Sequence, residues 1–272
     1  MRFGLDVPVS GDYADPRLLG DLAAEAEASG WDGFFLQDTL SLDAPACDPW
    51  LALTAVALRT ERIRIGVLMT ALSRRRPWLV ARQAVTVDRL SGGRLVFGAA
   101  LGYTERDFTP FGEEWGPRLR AERLDEALEV IAGLWGNADY SFSGSHYRLD
   151  HAVLLPGPQQ SPRIPVWTAA GWPKRRPLRR AGRWDGVYLM TVHQETGDYL
   201  TPSDVADAVA FAQAQRGPSP AAFDVALNPP PGGSARMVGE YADAGATWWL
   251  ELDDEEAGPS SYRRRIIAGP PA

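Results

Sequence analysis

Three side chains that can carry a proton near neutral pH lie at or after the ends of predicted strands in the second half of the chain. His193 comes after "WDGVYLMT", with Glu195 two residues later, and Glu251 lies near the end of "ATWWLEL". Imidazoles and carboxylates are the usual general acids and bases of enzymes, because their surroundings can bring their pKa values close to the working pH. We therefore expect His193 and Glu251 as candidate catalytic residues. The residues alone leave a surface histidine and a structural carboxylate open as alternatives.

The glycine-rich stretch 91–103, "SGGRLVFGAALGY", raises a second possibility, a loop that cradles a dinucleotide. Such a loop needs G-x-G-x-x-G directly before a helix. Here Gly98 and Gly102 flank "AAL", and the next helical pattern begins only after the turn-rich stretch 103–117. The stretch is better explained by a helix stop at Gly92-Gly93 followed by a strand. Small residues in that strand would allow a ligand or neighbouring backbone to approach closely.

The elements that would hold these residues alternate between strand and helix. "DPRLLGDLAAEAEASG" and "DPWLALTAVALRT" both start with the Asp-Pro pair that begins helices, and apolar strands such as "RIRIGVLMT" stand between the helical patterns. Short apolar strands joined by helices indicate parallel pairing with both faces covered. Eight such units predict an α/β fold of the closed (β/α)8 TIM-barrel type, although a doubly wound sheet would show a similar alternation of strands and helices.

One segment breaks the alternation. Residues 140–163 contain short alternating stretches interrupted by glycines and prolines. This pattern predicts a hairpin-like excursion after the fourth helix. The composition does not shift anywhere along the chain in the way that marks a domain boundary, so we expect one domain over residues 1–272.

Composition narrows the classes of partner. A net charge of −7 and a pI near 5.1 argue against nucleic acid and anionic membranes. No apolar run reaches the ~18 residues of a membrane span, and the N-terminus lacks the apolar segment of a signal peptide, so we expect a cytoplasmic protein. Cys47 is the only cysteine, which excludes an intrachain disulfide. The three scattered histidines show no zinc-ligand spacing, so we expect no metal site.

An ordered series of segments resembles the luciferase-like monooxygenase superfamily. The most specific is "DRLSGGRLVFGAALGYTERDFTPFG", residues 88–112, because members commonly read DRLSGGR, an apolar run with spaced glycines, and an E-F-x-x-F-G segment. "AEASGWDGFFLQD", "RLDEALEVIAGLWG" and "RRAGRWDGVYL" are similar to other family segments in the expected order. Any one segment is weak, but the series covers nearly the whole chain.

The resemblance implies a barrel that binds reduced FMN or the deazaflavin coenzyme F420 at the carboxyl ends of its strands. It also implies a small-molecule substrate, a flavin reductase that supplies reduced FMN, and a homodimer. With reduced FMN and O2 the reaction would be monooxygenation, and with F420 it would be hydride transfer without oxygen. We expect the FMN reaction first and the F420 reaction as the alternative. A third hypothesis is a degenerate, non-catalytic barrel that serves as a binding or partner protein.

The resemblance also implies where the cofactor binds. The strand end "LMTA" (68–71) matches a bulge beneath the ring, which often holds a cis peptide bond that does not precede proline. "TAAGWP" (168–173) matches a phosphate-binding turn, where convergent N–H groups and the cations of "KRR" would attract an anion. Tyr103 and Trp172 would wall the pocket. The cofactor-binding residues carried over are Asp38, Thr39, Met69, Thr70, Ala71, Ala100, Gly102, Thr168, Ala170, Gly171, Trp172 and Lys174.

Two positions depart from the family pattern. Relatives usually have Asp-His where this chain has Asp38-Thr39, and a hydroxyl cannot carry a proton near neutral pH as an imidazole does. Ala100 stands where glycine is usual, and its added methyl would narrow the space for the ring. The loss of the histidine weakens the F420 hypothesis more than the FMN hypothesis, and both departures motivate the degenerate barrel.

Overall fold

Eight parallel strands close into a barrel in the computed structural model, which describes residues 1–40, 43–136, 138–192, 198–217, 222–230, 233–252 and 258–271. The strands in chain order are β1 (Arg2–Val7), β2 (Gly33–Leu36), β3 (Arg64–Ala71), β4 (Leu95–Ala100), β5 (Tyr140–Ser143), β6 (Arg148–Ala152), β7 (Val166–Trp172), β8 (Gly186–Thr191), β9 (Asp224–Leu227) and β10 (Trp248–Leu252). Around the barrel their order is β1-β10-β9-β8-β7-β4-β3-β2. The predicted (β/α)8 barrel is therefore confirmed.

The helices that cover the barrel begin at the signals visible in the sequence. Asp15 and Asp48 accept hydrogen bonds from the first-turn backbone N–H groups of Arg17 and Leu51, and proline is the first residue of each helix. These caps provide hydrogen-bond acceptors for backbone N–H groups that have no partner within the first turn of a helix. The helices are α1 (Pro16–Ala28), α2 (Pro49–Arg59), α3 (Pro77–Leu90), α4 (Pro117–Trp135), α5 (Arg175–Ala181), α6 (Pro202–Ala214), α7 (Ala235–Asp243) and α8 (Gly258–Ile267).

The excursion after the fourth helix is an antiparallel hairpin of β5 and β6. Glu126 of α4 accepts hydrogen bonds from the backbone N–H groups of Ser145, His146 and Tyr147 at 2.7, 2.9 and 3.1 Å. One carboxylate thus satisfies the turn of the hairpin and ties it to the helix layer. The predicted hairpin-like excursion is confirmed.

Side chains alternate between the barrel interior and the helix layer, as the pleat of a strand requires. The interior cluster consists of Phe35, Leu68, Val96, Trp167, Tyr188, Ala226, Trp248 and Leu250. Phe35, Trp167 and Trp248 pack with ring centroids 5.5–5.8 Å apart. Because Trp167 and Trp248 lie near the amino ends of β7 and β10, these rings fill that half of the barrel interior.

The glycines of the stretch 91–103 are explained by packing and turn geometry. Gly92 and Gly93 have φ of +67° and +85°, which confirms the helix stop. A Cβ on Gly98 would lie 2.4 Å from the carbonyl oxygen of Val67 and 2.5 Å from Cδ2 of Leu68. Close packing of β3 on β4 therefore requires glycine at position 98.

No helix within the described ranges is long and apolar enough to cross a membrane. The same residues contain no group of three or more His, Cys, Asp or Glu side chains that could hold a metal ion.

Candidate active site

Small side chains line the interior at the carboxyl ends of β3, β4 and β7. Ala100 lies on the same face of β4 as Val96 of the interior cluster, and Ala71 of β3 pairs with it. On β7, Ala169 and Gly171 share the face of Trp167. Ala100, Ala169 and Gly171 are half-buried. We call this set of small side chains the recess; it lies at the end of the barrel where enzymes of this fold carry their sites.

The end of β3 has the irregularity that the resemblance implied. The peptide bond between Leu68 and Met69 is cis, and the register with β4 shifts between Val67 and Thr70. After this shift Thr70 pairs with Ala99, which packs among the helices, so its buried side chain faces away from the recess. The expected bulge is confirmed, and Met69 and Ala71 are the residues that it presents to the barrel end.

Asp38 holds the end of β3 in place. Its carboxylate accepts hydrogen bonds from Arg74 at 2.9 Å, from Arg75 at 2.8 Å and from the backbone N–H of Ala71 at 2.9 Å. Burial acts to raise the pKa of Asp38, but the Arg75 and Arg74 guanidiniums outweigh it and lower the pKa below its usual value. The Asp38 carboxylate is therefore a charged structural tie at the rim of the recess.

A second carboxyl, Asp6 of β1, lies inside the barrel among uncharged polar groups. Its Oδ2 accepts a hydrogen bond from the Tyr188 hydroxyl at 2.8 Å, and the same hydroxyl is in hydrogen-bond contact with Oδ1 of Asn228. Burial raises the pKa of Asp6 to about 6, although hydrogen bonds from Tyr188, Asn228 and Gln37 work in the opposite direction. Burial likewise raises the pKa of Tyr188 well above 10. Asp6 is thus a buried group that changes its charge close to neutral pH.

Asn228 connects this polar cluster to a cavity. The cavity has a volume of about 20 Å³ and is lined by Leu189, Met190, Thr191, Asp198, Tyr199, Leu200 and Asn228. A larger cavity of about 380 Å³, bordered by Arg2, Arg64 and Trp248, lies at the opposite end of the barrel. Barrels of this type place catalysis at the carboxyl ends of their strands and stabilising contacts at the amino ends, and the small cavity lies at the carboxyl ends.

The segment expected to form a phosphate-binding turn is part of a strand. Thr168, Ala170, Gly171 and Trp172 all pair with β8, and only Pro173 and Lys174 turn away from it. Thr168, Ala170 and Trp172 face the helix layer, where Trp172 Nε1 donates a hydrogen bond to Asp204 at 2.9 Å. Their side chains therefore point away from the recess, which corrects the expectation of Trp172 as a pocket wall. Lys174 is exposed at the start of α5.

Glu251 also lies on the outer face, contrary to its expected catalytic role. It follows Trp249 by two residues on the face that packs against the helices. Its Oε1 accepts a hydrogen bond from Arg265 at 2.6 Å. Glu251 is an ion-pair partner that fastens α8 to β10. The other expected catalytic residue, His193, lies outside the described residues, as does Glu195.

The loop after β4 covers the rim. Gly102 has φ of +91°, and a Cβ there would lie 2.5 Å from the Phe108 ring, so the fully buried Phe108 requires glycine at this position. Tyr103 is 72% exposed. Thr39, where the family resemblance implies histidine, is half-buried after the end of β2.

The structure therefore gathers part of the expected site and adds residues that the sequence did not indicate. Met69, Ala71, Ala100 and Gly171 come together around the recess, with Asp38 at its rim. The Asp6, Tyr188 and Asn228 cluster was missed. Its one local signal is a charged residue between Leu5 and Val7 in an otherwise apolar strand.

The first comparison with known proteins concerns the sequence. A family profile described as luciferase-like monooxygenase matches residues 1–231. A protein named F420-dependent glucose-6-phosphate dehydrogenase, from Nakamurella multipartita, is 32% identical over 199 residues, which are 70% of this chain and 56% of that relative. The chain thus spans about half the length of the curated relatives it matches.

Solved structures share the fold at lower identity. The coenzyme F420-dependent tetrahydromethanopterin reductase from Methanopyrus kandleri aligns with a TM-score of 0.78 at 17% identity, over 98% of this chain and 96% of that one. The oxygenating constituent of 3,6-diketocamphane monooxygenase from Pseudomonas putida, in complex with FMN, aligns with a TM-score of 0.68 at 15% identity, over 84% and 66%. The names of the relatives support an oxidoreductase, and they favour F420 over FMN, the reverse of the order expected from the sequence.

Proposed function

Because the chain belongs to the luciferase-like monooxygenase family, we propose that it is a coenzyme F420-dependent oxidoreductase acting on a small organic substrate. The observation that carries the proposal is the 32% identity, across 70% of the chain, to a protein named as an F420-dependent dehydrogenase. When bound, the deazaflavin supplies the hydride chemistry, so the protein needs to bind, orient and shield the reactants.

The small residues around the recess would leave room for a planar ring. The side chains that point to the interior here are small on three strands. They are the single methyl groups of Ala71, Ala100 and Ala169, and Gly171 has no side chain. The methyl of Ala100 is half-buried and borders the recess. Extra bulk at that position is the simplest way to obstruct a ring, which makes position 100 a direct test of the fit.

Three features of the chain would serve a bound cofactor. The bulge at Met69 would support the ring, and Asp38 would keep that bulge fixed through the N–H of Ala71. The exposed Lys174 would offer positive charge to a phosphate group. Apolar side chains such as Met190 and Leu200 at the small cavity would exclude water from the reacting atoms.

Fluorescence titration of the purified protein with F420, FMN and reduced FMN tests the proposal. We expect F420 to bind and reduced FMN to bind weakly or not at all. Ala100→Val should weaken F420 binding about tenfold or more, since added bulk opposes a close-packed ligand. Ala100→Gly, the matched control, should bind at least as well as the wild type.

Other outcomes would replace the proposal. Binding of reduced FMN without binding of F420 would favour a flavin-dependent monooxygenase instead. If none of the three ligands bound at high micromolar concentration, the degenerate barrel would be the better account.

A further inference from the structure

The cluster of Asp6, Tyr188 and Asn228 holds more hydrogen-bond acceptors than its visible donors can serve. The Tyr188 hydroxyl has one proton, yet it contacts both Oδ2 of Asp6 and Oδ1 of Asn228. If Asp6 is ionised, both neighbours are acceptors, and one contact brings two lone pairs together. The cluster therefore needs one more proton than an ionised Asp6 allows.

Turning the Asn228 carboxamide around does not supply that proton. In the present orientation Nδ2 of Asn228 donates a hydrogen bond to the Leu250 carbonyl oxygen at 3.0 Å. The reversed amide would give Tyr188 a donor but would place Oδ1 against that carbonyl. One unfavourable contact would replace another.

A proton on Oδ2 of Asp6 satisfies each hydrogen bond from Asp6 through Tyr188 and Asn228 to Leu250, while Oδ1 of Asp6 stays buried without a hydrogen-bond partner among the described residues. The Asp6 hydroxyl then donates to Tyr188 Oη, Tyr188 donates to Oδ1 of Asn228, and Asn228 donates to the Leu250 carbonyl. We propose that the protonated Asp6 carboxyl is a positioning residue of the ligand site, which holds Asn228 against the small cavity through Tyr188. The ligand named in this inference rests on the proposed function, whereas the hydrogen-bond chain does not.

The surroundings of Asp6 allow the proton to be present near neutral pH. The side chains that act on its carboxyl are Tyr188 of β8, Asn228 after β9 and Gln37 after β2, and all three are uncharged. Tyr188 is the titratable one, and its own pKa is raised by burial. Burial raises the pKa of Asp6 to about 6, so the chain is complete in mild acid and loses its proton as the pH rises through about 6.

Ionisation of Asp6 changes the wall of the cavity. Tyr188 then donates to the Asp6 carboxylate, and Oδ1 of Asn228 loses its donor. In one orientation of the amide Oδ1 of Asn228 faces the Tyr188 oxygen, and in the other it faces the Leu250 carbonyl oxygen. Neither orientation is favoured, so Asn228 is no longer held in one position. We expect a ligand that packs on this wall to bind more weakly above pH 7 than below pH 6.

Measuring F420 affinity at pH 5.5 and pH 8 in the wild type and three variants tests this inference. The wild type should bind about tenfold more weakly at pH 8, the effect of losing about one neutral hydrogen bond. Asp6→Asn carries an N–H donor at every pH, so it should remain tight at both. Tyr188→Phe breaks the chain and should be weak at both, while Asp224→Asn, at the amino end of the interior face, should follow the wild type.

An NMR measurement without ligand separates this inference from the proposed function. The Asp6 carboxyl carbon should titrate with a pKa near 6, and the side-chain amide signals of Asn228 should move with it in the wild type but not in Asp6→Asn. If F420 fails to bind while these shifts occur, the proposed function fails and the positioning role stands. A carboxyl that titrates near 4, or an Asn228 amide that ignores it, would falsify the inference even if F420 binds.

Discussion

Asp6 and Asp38 lie at the carboxyl ends of neighbouring strands, and both are buried, with Asp6 2% exposed and the Asp38 side chain 0% exposed. Burial acts to raise the pKa of each. At Asp38 the Arg75 and Arg74 guanidiniums reverse that effect, whereas at Asp6 the hydrogen bonds from uncharged partners do not. The comparison teaches that the partners decide the charge of a buried carboxyl. Asp38 is a permanent ion that supports the rim, and Asp6 is a group that can exchange its proton.

Asp38→Asn should have the largest effect on stability. Removing this carboxylate leaves the largely buried Arg74 and Arg75 with longer ion pairs, to Asp107 at 3.9 Å and to Asp48 at 3.6 Å. The loss should cost about 3 kcal/mol of unfolding free energy at pH 7. Because the pKa of Asp38 is lowered on folding, its contribution is present above about pH 4 and fades as the pH falls further. Urea unfolding at pH 7 measures the loss. The control is Asp21→Asn, which removes an exposed ion pair with Arg59 and should lower the unfolding free energy by less than about 1 kcal/mol.

Asp6→Asn should show the opposite dependence on pH. A carboxyl whose pKa rises from 3.8 to about 6 on folding favours the folded state below its unfolded pKa and loses that contribution as the pH rises through about 6. The full difference is about 3 kcal/mol, of which about 2 kcal/mol falls between pH 4.5 and pH 8. The variant should therefore gain about 2 kcal/mol relative to the wild type across that range. Urea unfolding at pH 4.5 and pH 8 measures this change. If the difference in unfolding free energy between variant and wild type were the same at both pH values, Asp6 and Asp38 would not differ in the way proposed.

Trp172→Phe probes the outer face of β7. The variant loses the hydrogen bond from Nε1 to Asp204, worth about 1 kcal/mol of unfolding free energy. Since the ring packs with the helix layer, F420 affinity should not change. A large loss of affinity without a loss of stability would return Trp172 to the wall of the pocket.

Glu251→Gln should have the smallest effect. The carboxylate pairs with Arg265, whose side chain is 36% exposed, so its loss costs about 0.5–1 kcal/mol. The pH dependence of F420 affinity should match that of the wild type. A variant with normal stability but a changed pH dependence would show that this outer carboxylate reaches the site.

The fold followed from the sequence because its signals are local. Asp15 and Asp48 with their prolines, and the glycine pair at 92–93, each act within one turn of chain. Two partners of Asp6, Tyr188 and Asn228, come 182 and 222 residues later. Closure of the barrel brings them together, and no local pattern records it.

The segment "TAAGWP" shows a second reason for error. Alanine and glycine occur both in turns and in strands that need close packing, so the segment does not distinguish the two. Residues Trp167 to Trp172 pair with β8, which shows that the segment is a strand. The faces of Thr168 and Trp172 then follow from the pleat and could not be assigned while the segment was taken as a turn.

Leu68 occupies the space that a side chain at position 98 would need, and this contact constrains both the evolution and the redesign of the barrel. A Cβ at position 98 would strike both Cδ2 of Leu68 and the carbonyl of Val67. Any exchange at 98 thus requires a reshaped bulge on β3, so the two strands should covary across homologues. A library that aims to change cofactor preference should diversify residues 67–69 and 98 together, because a single substitution at 98 would be eliminated for stability before its effect on binding could be selected.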